Sequence, residues 1–171
     1  MKNIFLIGYM GTGKSTVAAC MAKQYGMEVL EMDQTIVERE GMSISDIFEK
    51  RGEDYFRDIE TKLLLEIQKQ ENKVVSCGGG VVLRKQNVEV MKKEGYIVLL
   101  SAKPETILER VKDDDSRPLL QGNKNIAFIN DMLEKRRPKY ESAADVVIQT
   151  DGKMVTEICY EILKKIERRG E

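Results

Sequence analysis

The chain has 171 residues, 42% hydrophobic and 33% charged, with a formal net charge of −1, which fits one soluble domain burying roughly 70% of its unfolded surface. It contains no histidine, which excludes a histidine general base and a histidine-ligated metal. Near-neutral charge argues against nucleic acid as the main partner, and no run of 18 apolar residues is present to span a membrane.

The first residues run directly into Ile4-Phe5-Leu6-Ile7, without the basic region, long apolar stretch and cleavage site of a secretory leader. Asn3–Ile7 reads as a buried strand, and Lys14–Tyr25 as a helix stopped by Gly26. A second strand is expected at 28–32. Some forty residues with only helical signals follow, so a helical insertion beside the sheet is expected there. In it, Ser43-Ile44-Ser45-Asp46 resembles a capping box with Asp in place of Glu, and Ile44, Ile47 and Phe48 form an apolar face. Tyr55, Phe56, Ile59, Leu63 and Ile67 continue such a face along a longer helix. Further strands are expected at 73–77, 96–100 and 145–149. Pro104 opens a helix through Val111, and Val155, Ile158, Cys159, Ile162 and Ile166 recur at helical spacing near the end. Strands alternating with helices imply a single α/β domain with a parallel sheet and right-handed crossovers. Residues 113–125, charged and poor in apolar groups, read as a mobile surface segment. Cys20, Cys77 and Cys159 are odd in number and lack metal-ligand spacing, so reduced thiols in a cytoplasmic protein are expected.

Chemistry enters at Gly8-Tyr9-Met10-Gly11-Thr12-Gly13-Lys14-Ser15-Thr16, which fits the phosphate-binding pattern G-x-x-x-x-G-K-[ST]. The glycines let backbone N–H groups cradle phosphate oxygens, the following helix adds its positive end, Lys14 brings a full charge, and the Ser15 hydroxyl is placed for Mg²⁺. At average usage a chain this long meets the pattern by chance about 0.6% of the time. Ligands of such a sheet bind beyond the carboxyl ends of its strands, so the residues emerging there matter most. Glu31 and Asp33, separated by Met32, point the same way if the strand's alternation continues through them. One would hold Mg²⁺ through water and the other would orient an acceptor hydroxyl; two solvated acids are the plain alternative. Gly78-Gly79-Gly80 permits close approach of a ligand, or is a simple tight turn. Arg57, three residues before Glu60, Arg117 before Pro118, and Arg136 before Arg137-Pro138 near a helix end offer guanidinium groups for carboxylate or phosphate. Taken singly, each is more readily a surface ion pair, and Asp113-Asp114-Asp115 reads as a solvated charge run.

Together, these residues make the chain resemble the shikimate kinase family, within the wider P-loop nucleoside monophosphate kinase-like group, along nearly its whole length. The resemblance is carried by GYMGTGKST, Glu31-Met32-Asp33, SISDIFEKRGEDYFRDIE at 43–60, CGGGVV, SRPLL and RRPKYESAAD. It implies a three-layer α/β sandwich with a five-stranded parallel sheet in the order 2-3-1-4-5. It further implies an acid-binding helical region at about 33–61 and a lid at about 112–125. ATP would be the donor, Mg²⁺ the metal, and the 3-hydroxyl of shikimate the acceptor, in a monomeric cytoplasmic enzyme of aromatic amino acid biosynthesis. By the same resemblance, Gly11, Thr12, Gly13, Lys14, Ser15 and Thr16 would bind the nucleotide, with Arg110 on the adenine. Asp33 would be the catalytic carboxylate, Arg57 and Arg136 would clamp the acid with the amides of Gly79 and Gly80, and Arg117 would reach the transferring phosphate. Two departures stand out: Glu31 replaces the Asp usual in the family's acidic pair, and 150–154 lacks a proline to set against the base, leaving Met154 in that place. The rivals are a kinase for another sugar acid, such as gluconate, and a nucleotide-dependent switch with no acceptor.

Overall fold

Alternation along the first strand decides how the molecule is layered. Ile4 and Leu6 point to one face of the sheet and Phe5 and Ile7 to the other, and all four are at most 1% exposed, so helices must cover both sides. The computed structural model describes residues 1–112 and 125–171; Arg117, the Asp113-Asp114-Asp115 run and most of the expected lid lie outside the described residues. Five strands, β1 (Asn3–Ile7), β2 (Glu28–Glu31), β3 (Lys73–Ser76), β4 (Gly95–Ser101) and β5 (Val146–Gln149), form one parallel sheet in the order β2-β3-β1-β4-β5. In register, Phe5 lies between Val75 and Ile97.

The described helices are α1 (Lys14–Tyr25), α2 (Met32–Glu40), α3 (Ile44–Arg51), α4 (Glu53–Ile67), α5 (Lys85–Glu94), α6 (Pro104–Val111), α7 (Ile126–Ala143) and α8 (Val155–Gly170), with a 3₁₀ turn at Val81–Leu83. On one face Ile4, Leu6, Val74, Val98, Leu100 and Ile148 pack with Val17 and Met21 of α1 and Ile158, Cys159 and Ile162 of α8. On the other, Phe5, Ile7, Val75, Ile97 and Leu99 meet Ile36 of α2, Leu64 and Ile67 of α4, Met91 of α5 and Ile129 of α7. The expected insertion between β2 and β3 is the run α2, α3, α4. Ser43 caps α3, its hydroxyl accepting from the Asp46 N–H at 3.1 Å, a bond contributing about 1 kcal/mol. Among the described residues no helix is long and apolar enough to cross a membrane.

Three local expectations change. Strand β2 ends at Glu31, because Met32, fully buried, already belongs to α2. Helix α5 was not among the expected elements, although Val88 and Met91, three positions apart, give it a short apolar face against the core. Arg136, expected near a helix end, sits inside the 18-residue α7, which continues through Pro138. Proline deletes one helical hydrogen bond, yet burial of Arg136 before it and of Tyr140 and Ala143 after it keeps both sides on one axis.

Candidate active site

The loop from Gly8 to Gly13 turns at three positions of positive φ, Gly8 (142°), Gly11 (76°) and Gly13 (95°), which only glycine adopts without strain. No side chain caps α1, so the N–H groups of its first turn face the hollow of the loop. Lys14 arches back over that hollow, its Nζ donating to the carbonyls of Gly8 (2.7 Å) and Tyr9 (3.1 Å), while the Thr12 hydroxyl donates to Tyr9 O at 2.7 Å. From the last turn of α6, Arg110 donates through Nη1 to Gly11 O at 2.8 Å, so it lies beside the loop. The 150–154 turn is tied to the same helix: Asp151 accepts from the Lys103 N–H and the Thr106 hydroxyl. Met154 stands 67% exposed at the start of α8.

Beside Lys14 opens a pocket of about 300 Å³ lined by Lys14, Ser15, Glu31, Asp33, Gln34, Ser76 and Cys77. Glu31 and Asp33 share this pocket as expected, but strand alternation does not bring them together. Glu31 is the last residue of β2, and Asp33 is in the first turn of α2. The Ser15 hydroxyl donates to Glu31 Oε2 at 2.9 Å and lies 3.3 Å from the Ser76 hydroxyl. Two hydroxyls and a carboxylate form a hard oxygen set of the kind Mg²⁺ accepts together with water. Glu31 therefore reaches the Ser15 hydroxyl despite its extra methylene. Ser76 was not anticipated; it is the register partner of Glu31, so the two strands end side by side. A serine closing an apolar run directly before glycines was the available signal.

The other end of the cleft is organised around Gly78-Gly79-Gly80. A Cβ on Gly78 would stand 2.6 Å from Glu60 Oε2 and 2.9 Å from Asp33 Oδ1, and one on Gly79 3.4 Å from Arg136 Nη1. On Gly80 it would stand 2.4 Å from Arg57 Nη2. Each glycine is thus the near wall for a different charged side chain. Arg57, 7% exposed, donates to Glu60 at 2.7 Å and to Glu53 at 3.1 Å, confirming the expected pairing along α4. Glu60 is wholly buried; burial pushes its carboxyl above the usual range, while the Arg57 guanidinium pulls it back. Arg136 is equally buried at 7%, yet among the described residues no carboxylate lies within ion-pair distance of it. The Tyr140 hydroxyl donates to Gly79 O, and the Tyr9 ring lies under Arg136. Sequence reasoning missed Glu60 as part of the site and both tyrosines, since residues 9, 79 and 140 meet only through the fold.

The described geometry thus joins a phosphate loop to an oxygen-lined pocket and a buried cationic recess. Comparison with known proteins gives this arrangement a family. The shikimate kinase family model matches residues 10–167. A shikimate kinase of Sulfurihydrogenibium sp. (strain YO3AOP1) is 44% identical over 169 residues, 99% of this chain and 100% of the relative. The structure of shikimate kinase from Acinetobacter baumannii in complex with shikimate superposes with a TM-score of 0.93 at 36% identity, covering 99% of this chain and 94% of that one. A gluconokinase from Sinorhizobium meliloti 1021 covers 98% of this chain and 92% of its own with a TM-score of 0.62, but at 20% identity this shows a shared fold alone. The chain belongs to the shikimate kinase family.

Proposed function

We propose that this enzyme transfers the γ-phosphate of ATP to the 3-hydroxyl of shikimate, giving shikimate 3-phosphate and ADP. The observation that carries the reading is Arg136, a buried cation without a carboxylate partner among the described residues, placed beside the phosphate loop. A Cβ on Gly79, 3.4 Å from Arg136, would lie 3.8 Å from Gly8 O and 3.9 Å from Met10 N. A guanidinium removed from water needs an anion, and a carboxylate bound there would hold its hydroxyls toward the loop.

In this reading Gly11, Thr12, Gly13, Lys14, Ser15 and Thr16 hold the phosphates, and Arg110 lies against the adenine. Lys14 leaves the carbonyls of Gly8 and Tyr9 for the β- and γ-phosphates. Ser15 and, through water, Glu31 would hold Mg²⁺, whose charge offsets that developing on the phosphate oxygens. Asp33 accepts the hydrogen bond of the 3-hydroxyl and orients its oxygen in line with the bond that breaks, between the γ-phosphorus and the bridging oxygen. Arg57, Arg136 and the amides of Gly79 and Gly80 fix the carboxylate. Arg117 reaches the transferring phosphoryl group from a lid at about 112–125, and residues 33–61 form the acid-binding region; both assignments rest on the resemblance. The free thiols of Cys20, Cys77 and Cys159 support a reducing, cytoplasmic setting, and one domain with a charged surface supports a monomer.

Purified protein should release ADP when given ATP, Mg²⁺ and shikimate, lose that activity in EDTA and recover it on readdition of Mg²⁺. Turnover of gluconate but not shikimate would replace the substrate, and slow ATP hydrolysis indifferent to either acid would make the chain a nucleotide switch.

The glycine turn supplies a sharper test. In Gly80→Ala the new methyl group collides with a guanidinium that cannot move freely, because Glu53 and Glu60 hold it. The KM for shikimate should rise by about tenfold or more, with the KM for ATP within about twofold. An equal rise in both constants would mean that the turn supports the whole site rather than its acid end.

A further inference from the structure

Of the two arginines at the acid end, Arg57 is held by carboxylates of its own helix, whereas Arg136 has none among the described residues. Its surroundings are aromatic instead: the Tyr140 hydroxyl and the Tyr9 ring both lie beside the guanidinium. Its Cζ lies 5.9 Å from the centroid of the Tyr9 ring, within cation–π range. Such contacts are stronger out of water, and Tyr9 is 1% exposed and Arg136 7%. The phenol stays neutral, since burial pushes its pKa up to about 12 against the pull of Arg136. Its hydroxyl has no hydrogen-bond partner among the described residues. An unpartnered buried hydroxyl opposes folding, so the packing here retains the ring rather than the OH.

Tyr9 also belongs to the phosphate loop. Its carbonyl accepts from both the Thr12 hydroxyl and the Lys14 ammonium. Tyr9 also borders a recess of about 380 Å³ that it shares with Leu99, Leu133, Arg137, Tyr140 and Glu141 and that Arg136 does not line. We propose that Tyr9 is a positioning residue: its ring holds Arg136 toward the acid site, and its backbone ties that platform to the lysine that senses phosphate, so that nucleotide and acid binding are coupled. When phosphates draw Lys14 off the Tyr9 carbonyl, the peptide carrying the ring changes partners. Binding coupling is reciprocal, so shikimate must then favour nucleotide to the same extent.

The proposal rests on the shikimate reading above and is tested with Tyr9→Phe, Tyr9→Leu and Tyr9→Met. Steady-state kinetics gives the two KM values and kcat, and calorimetry gives shikimate affinity with and without ADP. Leu and Met, which lack the ring, are expected to raise the shikimate KM about tenfold with kcat within about twofold, and to leave the affinity for ADP measured without shikimate within about twofold. They should also remove the ADP-dependent gain in shikimate affinity, while Tyr9→Phe keeps both properties. Two aliphatic variants are used so that a folding failure of one leaves the other to decide, with thermal melts reporting which is folded. An unchanged shikimate KM in the folded aliphatic variant overturns the proposal, as does an equal loss of ADP affinity measured without shikimate. So does a Phe variant as impaired as the aliphatic ones. If the unaltered chain neither binds nor phosphorylates shikimate, the substrate reading itself fails and this inference with it.

Discussion

Replacing Asp33 by Asn should lower kcat roughly 10²- to 10⁴-fold while the affinity for ATP changes by less than about threefold. Asn keeps the shape of the side chain and removes its negative charge and its capacity to take up a proton. The backbone around it should not move, because α2 is anchored by Met32 and Ile36, both fully buried. The nucleotide side should persist, since in the proposed reading it rests on the Gly8–Ser15 loop and Arg110, which are tied to each other. The charge itself is the variable, in a crowded site where Gly78 brings its backbone against both Asp33 and Glu60. Coupled ADP-release kinetics and nucleotide titration together check this. Turnover equal to that of the unaltered protein would remove Asp33 from the mechanism.

Arg136→Met should raise the KM for shikimate at least about 30-fold, corresponding to about 2–5 kcal/mol for truncating one partner of a buried, hydrogen-bonded charge pair. Methionine keeps much of the apolar stem that packs in α7 and removes the charge. Glu60 feels the charge of Arg136 but is ion-paired to Arg57, so removing Arg136 leaves no buried acid without its ion-pair partner among the described residues, and thermal stability should be largely kept. Arg57 would give a less readable result. Its loss strands Glu60, which is wholly buried, and breaking a buried pair costs about 3–5 kcal/mol, so lost affinity and lost folding would be confounded. A shikimate KM unchanged in Arg136→Met, with a normal melting curve, would place the acid elsewhere.

The sheet and its main helices were readable because each element answers to local chemistry. Within Asn3–Ile7 the four residues after Asn3 are all apolar, Lys14–Tyr25 lies between a glycine turn and Gly26, and Pro104 sets the first residue of its helix. These are short-range statements of backbone preference and side-chain period. Where the local signal was weak or misleading, boundaries moved. Asp33 seemed to continue a strand because Met32 is apolar, but Met32 is buried as the first residue of α2. The Arg57–Glu60 pair was visible because three residues along a helix make neighbours by geometry alone.

Nothing comparable announced the partners of Arg136, the meeting of Ser15 with Ser76 across 61 positions, or Arg110 reaching Gly11 across 99. Composition and motif were enough to set the chemistry: a phosphate loop, acids but no imidazole, and arginines in supply. Which arginine is already paired by its own helix, and which lies over an aromatic ring, emerged only when distant strands and helices packed. A residue's period records which way its own segment faces, whereas burial and the identity of the opposing group depend on segments that the period does not describe.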